Sequence, residues 1–156
     1  MRVIMDIESD GLLNTVTRCW IIGFKNKDTG EVKYWLDGDL GWIEEFEKVT
    51  VFIGHNEIGY DFAVLEKLFK YKPRNDQRMH DTMIMSQVLN YKRFGNDGHS
   101  LERWGEYLNC PKGEFSDWSK FSEEMLDYWK QDLEVTEKTH NVLMKELSAL
   151  KEKSPK

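Results

Sequence analysis

The chain has 156 residues, 40% hydrophobic and 32% charged, which suits one globular domain with its own core. Its net charge of −6 runs against a simple phosphate-binding surface, which normally carries a basic excess. An acidic protein can meet a phosphate only where divalent cations neutralise its acids. No stretch approaches the roughly 20 apolar residues of a membrane span, and the start, Met1-Arg2-Val3-Ile4-Met5-Asp6, is too short and too acidic for a signal peptide. Cys19 and Cys110 are isolated and read as reduced thiols of a cytoplasmic protein, and the four histidines (His55, His80, His99, His140) match no zinc spacing.

In chain order, Val3 to Glu8 reads as a strand and Thr17 to Lys27 as a second. Asp28-Thr29-Gly30 is a turn signal, and Glu31 to Leu36 reads as a third strand, making an antiparallel meander. Trp42, Ile43, Phe46 and Val49 have the spacing of a short helix, and Val51-Phe52-Ile53 is a brief buried strand ending at Gly54. Asp61 to Tyr71 is helical, with Phe62, Leu65, Leu68 and Phe69 on one side. Met79 to Thr82 reads as a short strand, and a helix capped by Asp81 or Thr82 follows to about Asn90. Ser100 to Leu108 and Glu123 to Leu150 complete the helices. The expected organisation is one domain over residues 1–150 and a polar tail over 151–156. A meander followed by alternating strands and helices predicts an α/β fold, a mixed sheet with helices on its faces. In such sheets, sites gather where strands end and helices begin.

Four acids stand out. Asp6 and Glu8 are two residues apart on a strand, so they share a face, and their neighbours Val3, Ile4, Met5 and Ile7 are apolar. Two like charges beside a core repel and resist desolvation, which a metal ion relieves and a position beyond the strand end in solvent would avoid. Asp61 follows a strand end and a glycine-containing loop, where it either serves a site or complements a helix N-terminus. The last helix carries Met125, Trp129, position 132, Thr136, Thr139, Leu143, Leu147 and Leu150 on one stripe, and position 132 is Asp. A carboxylate there must bind a metal or pair with a Lys or Arg from elsewhere. Tyr128 sits four residues before Asp132, on the same side of the helix. Mg²⁺ or Mn²⁺ suits such an oxygen-rich set, and in-line displacement at phosphorus is the matching chemistry.

Three motifs in order resemble the DEDD superfamily of 3′–5′ exonucleases in its tyrosine-type branch: Asp6-Ile7-Glu8, then Asn56 through Tyr60-Asp61, then Tyr128 through Asp132. His80-Asp81-Thr82-Met83 looks like the strand-to-helix turn of these domains, and Gly98 to Gly105, Lys112-Gly113-Glu114-Phe115 and Glu123 to Tyr128 look like the proofreading domain of phage family-A DNA polymerases. The resemblance runs from Met1 to about Leu147 and implies a ribonuclease-H-like, mixed five-stranded sheet flanked by helices. A proofreading domain is ordinarily followed by a polymerase, so the sequence reads as either a free-standing exonuclease or a polymerase fragment.

The resemblance also implies roles. Asp6, Glu8 and Asp132 would hold one divalent cation, Asp6 would bridge to a second, and Asp61 would serve that second ion directly or through its water. Tyr128 would orient the attacking water, Leu12 would meet the terminal base unless it is ordinary loop packing, and Asn56 would contact substrate or hold its loop. Lys92, Arg93, Arg103 and Lys112 are candidate backbone contacts, whereas His55 and Asp81 read as structural and Trp104 and Trp118 are given no role. The implied substrate is single-stranded DNA or a DNA 3′ end, with a replicative polymerase acting in trans as a further partner and the cytoplasm (the host's, for a phage protein) as the location. An RNA exonuclease using the same acids and a non-catalytic docking module of a replication protein are the alternatives.

Overall fold

A computed structural model describes residues 1–153 of the chain. Five strands form one mixed sheet in the order β3-β2-β1-β4-β5, where β1 is Arg2–Ser9, β2 Cys19–Asn26, β3 Val32–Leu36, β4 Val51–Gly54 and β5 Arg78–Asp81. The first three pair antiparallel, as the meander predicts, and β4 and β5 add in parallel on the other side of β1. The helices are α1 (Trp42–Glu47), α2 (Phe62–Phe69), α3 (Thr82–Leu89), α4 (Leu101–Tyr107) and α5 (Glu123–Lys153). This is the expected ribonuclease-H-like arrangement of a five-stranded sheet flanked by helices.

Alternation along β1 assigns its side chains to two cores. Val3, Met5 and Ile7 join the cluster that includes Trp42, Phe46, Val64 and Leu65 from α1 and α2. Ile4 faces the other way, into a cluster with Ile21, Met125, Trp129 and Leu133, so α5 covers that face. Asp6 and Glu8 continue the Ile4 side of the strand, toward α5. The expected stripe on α5 is buried through Met125, Trp129, Asp132, Thr136, Thr139 and Leu143. Beyond Leu143 the burial fades: Leu147 is half-buried and Leu150 exposed. α5 continues through Lys153, into the segment expected as a tail, and residues 154–156 of that segment lie outside the described residues.

Gly23 fixes how closely α5 can approach. It is the residue paired with Asp6 across β1 and β2. A Cβ at position 23 would lie 2.8 Å from Cζ2 of Trp129 and 2.3 Å from the Lys33 carbonyl oxygen. With no side chain there, the Trp129 ring settles on the sheet and its Nε1 donates to the Asp6 carbonyl at 2.9 Å. That hydrogen bond ties the middle of α5 to the middle of β1, one turn before Asp132.

Candidate active site

The end of β1 is where the sheet opens. β4 pairs with β1 only from Arg2 to Ile4, so the edge of β1 beyond Ile4 faces no strand on that side. The chain leaving β4 instead passes through Asn56, in the left-handed region at φ 59°, into a single π turn, Glu57–Asp61, that leads into α2. This turn carries Asp61 back to β1, where its Oδ2 accepts from the Ile7 amide at 3.2 Å. A side chain thus completes the strand edge that β4 leaves unpaired. The sequence did not show the π turn, because Asn56 and not a glycine takes the positive φ. Gly59 carries the matching signal: a Cβ there would meet Asn56 Oδ1 at 2.7 Å.

Asp6, Glu8 and Asp132 each present a carboxylate oxygen within 4.8 Å of the others. Glu8 and Asp132 are buried, and Asp6 is half-buried. Asp6 Oδ2, Glu8 Oε1 and Asp132 Oδ1 are shut off from solvent with no hydrogen-bond partner among the described residues. A buried carboxylate oxygen ordinarily finds a donor. Three carboxylates brought this close, each with an orphaned oxygen, could hold a hard cation. Asp61 stands beside this group rather than in it, held by the Ile7 amide.

Burial and mutual repulsion show in the acidities. Asp6 is raised well above the ordinary carboxylate range by burial and by the charges of Glu8, Asp132 and Asp61. Glu8 is raised in the same way, by burial and Asp132. Burial pushes Asp132 up to about 7 despite Lys112, and pushes Asp61 up to about 8 despite its backbone hydrogen bonds. The Tyr128 hydroxyl is also raised by burial, so it stays neutral near pH 7.

A cleft of about 500 Å³ gathers the predicted residues: Asp6, Glu8, Leu12, Asn56, Asp61, Tyr128 and Asp132 all line it. Leu12 is 73% exposed on the rim, in a loop that Tyr60 holds by donating to the Gly11 carbonyl at 2.6 Å. Trp118, left without a role by the sequence, also lines the cleft and an adjoining hollow of about 330 Å³. Trp104 is fully buried, its Nε1 donating to Ser86 Oγ. His55 bridges Thr82 and the His99 carbonyl while also lining the cleft, and Asp81 caps α3.

Two expectations about cations change. Arg93 is not a free phosphate contact: its side chain is 8% exposed and forks onto Glu146 at 2.5 and 2.7 Å while stacking over Trp104. Lys112 reaches the cleft, but from inside, with Nζ 3.9 Å from Asp132 Oδ2 and 5.2 Å from the centre of the Tyr128 ring. The pairing of Asp132 with a basic residue, an alternative to metal binding in the sequence, is therefore present together with the three-carboxylate cluster. Arg103 lies over Phe94, near Asp97 and Glu106.

Comparison with known proteins gives relatives for this geometry. The chain is 29% identical to the DNA-directed DNA polymerase of Enterobacteria phage T3 and 28% identical to that of Escherichia phage T7, in each case over 86% of this chain. It spans about a quarter of the length of these relatives, 25% of each. No protein-family model matches the chain. Brucella melitensis NrnC bound to pGG superposes with a TM-score of 0.72 at 21% identity, covering 95% of this chain and 74% of that one. NrnC with bound Mg²⁺ gives 0.71 at 22% identity, with the same coverage. Escherichia coli RNase D, an exoribonuclease involved in structured RNA processing, gives 0.66 at 18% identity, over 95% of this chain and 40% of that one. These structures share the fold, and the phage polymerases are similar in sequence over most of the chain.

Proposed function

We propose that this relative of the phage DNA polymerases is a metal-dependent 3′–5′ exonuclease that hydrolyses single-stranded or frayed DNA 3′ ends to nucleoside 5′-monophosphates. The observation that carries this reading is the convergence of Asp6, Glu8 and Asp132, with orphaned oxygens, at the opening of the sheet. Such a set is costly to bury without counter-charge, and Lys112 supplies one positive charge against the three carboxylates.

Asp6, Glu8 and Asp132 would hold one divalent ion, Mg²⁺ or Mn²⁺. Asp6 would reach a second, with Asp61 beside it. When bound, such ions make the attacking water more acidic and stabilise the leaving 3′-oxygen. Tyr128, one helical turn before Asp132, orients that water through its hydroxyl; being neutral near pH 7, it positions the nucleophile rather than deprotonating it. The new bond joins the water oxygen to phosphorus, the bond from phosphorus to the 3′-oxygen breaks, and the chain end is left one nucleotide shorter. Leu12, on the rim, meets the terminal base, and Asn56, held by its own loop geometry, faces the backbone.

The relationship to phage DNA polymerases favours DNA as the substrate and a polymerase in trans as a partner, with action in the cytoplasm. No helix of the described residues is long and apolar enough to cross a membrane. The fold shared with RNase D favours a second reading, an exoribonuclease using the same acids. Matched DNA and RNA oligomers digested in parallel with Mg²⁺ or Mn²⁺ separate the two. DNA shortened stepwise from its 3′ end supports the first reading, selective loss of RNA supports the second, and neither substrate being cut refutes both.

A further inference from the structure

We propose that Lys112 is an exchangeable counter-ion: it balances the carboxylate cluster before metal binds, gives way to the divalent ion, and then meets the phosphate to be cleaved. This rests on the metal-dependent reading above. Lys112 belongs to the irregular segment between α4 and α5, and its side chain lies in the cleft at 27% exposure. Its ammonium is 3.9 Å from Asp132 Oδ2, a carboxylate that is 7% exposed, and above the face of Tyr128. At 3.9 Å the contact is a loose Coulombic one, longer than a charge-assisted hydrogen bond, and so can be given up without losing a directional bond. The segment is nevertheless fastened nearby, since Gln131 Nε2 donates to the Pro111 carbonyl at 2.9 Å. The backbone is thus anchored beside the cleft, and the long Lys112 side chain reaches from it to Asp132 and Tyr128.

The charges of the site give the exchange its direction. With all four acids ionised, Asp6, Glu8, Asp61 and Asp132 carry four negative charges, and Lys112 returns one of them. One divalent ion among Asp6, Glu8 and Asp132 takes over the neutralisation that the ammonium supplied and repels the ammonium at short range. With two such ions the site and Lys112 together hold one net positive charge, which a single phosphodiester group cancels. The ammonium, still tethered beside Asp132 and Tyr128, is then the one lysine or arginine head group among the described residues that lines the cleft and can meet the arriving phosphate beside the ions.

The test compares wild type with Lys112→Met and Lys112→Arg. Titration calorimetry with Mn²⁺ alone, without nucleic acid, should show Lys112→Met binding about tenfold tighter than wild type, because a competing cation has been removed. Lys112→Arg should stay within about twofold of wild type. With Mn²⁺ saturating, the affinity for a single-stranded oligomer carrying non-hydrolysable 3′-terminal linkages should fall several-fold in Lys112→Met. A purely packing role for Lys112 would leave Mn²⁺ affinity unchanged or weaker, and that result overturns the proposal. Tighter Mn²⁺ binding with unchanged oligomer affinity overturns the phosphate half of it. Should Lys112→Met fail to fold, Lys112→Gln carries the same comparison. Absence of Mn²⁺ binding in wild type would instead bring down the metal-dependent reading itself, which keeps the two failures apart.

Discussion

Removing divalent metal should make the protein lose stability as pH rises from 6.5 to 8.5. Burial raises Asp132 from 3.8 to about 7 and Asp61 from 3.8 to about 8. In this window the unfolded chain has already released both protons, while the folded protein still holds them in part. The folded state therefore binds more protons, and its stability falls as pH climbs through the folded values. Asp61 accounts for about 2 kcal/mol of loss across these two pH units and Asp132 for about 1 kcal/mol. Together this is roughly 6–12 °C in Tm for a domain of this size. Asp6 and Glu8 are raised too and act in the same direction. His55 and His140, lowered by burial from 6.5 to about 4 and about 3, act oppositely at lower pH, so the window opens at 6.5, where their effect is largely complete. The assay is thermal unfolding in a chelator, followed by circular dichroism at half-unit pH steps. Asp61→Asn should make the slope shallower, since an amide can still accept from the Ile7 N–H but no longer titrates, and Mn²⁺ should restore stability most at pH 8.5. A metal-free Tm that is flat or rising between pH 6.5 and 8.5, or a slope unchanged in Asp61→Asn, would refute the reasoning.

Asp6→Asn and Asp132→Asn should each lower nucleotide release by at least about 10³-fold, several kcal/mol of lost charge stabilisation, while the metal-free protein becomes more heat-stable; steady-state release assays and melts in a chelator check both signs. Tyr128→Phe should cut kcat by roughly 10- to 100-fold with little change in KM, because it removes orientation of the water and leaves binding intact. Gly23→Ala should destabilise the fold by about 3 kcal/mol or more by forcing Trp129 off β2, and denaturant titration will show it. Leu12→Ala, on an exposed rim, should leave Tm within about 1 °C and act on KM for a frayed end.

Side-chain periodicity made most of the fold and three of the acids stand out in the sequence, and the motif resemblance added Asp61 and joined the four into one expected site. Period two put Asp6 and Glu8 on one face of β1. A three-and-four stripe exposed Asp132 as a charge where an apolar residue belongs. What escaped depends on irregular backbone and on distance across the fold. The π turn that returns Asp61 to Ile7 hangs on the left-handed Asn56, which no pattern announces. Lys112 sits in a segment with no period, so its arrival beside Asp132 comes only from the tertiary structure. Arg93 looked free because Glu146, the partner that buries it, is distant in sequence. Glu57 was passed over entirely, yet it is fully buried, and its carboxyl is held well above the ordinary range by burial and by Asp61 and Asp81. The tight fit between Gly54 and that side chain is the sort of packing that period-based reading does not see.

The central claim is metal-dependent removal of nucleotides from a 3′ end by the cluster of Asp6, Glu8 and Asp132. It is met most directly by a time course on a 5′-labelled single-stranded DNA oligomer with Mg²⁺, run beside a chelator control and the Asp6→Asn protein. The account predicts a ladder that shortens one nucleotide at a time with the label retained, seen only for wild type with metal. Digestion that persists in the chelator or in Asp6→Asn, or early release of the labelled end, would contradict it.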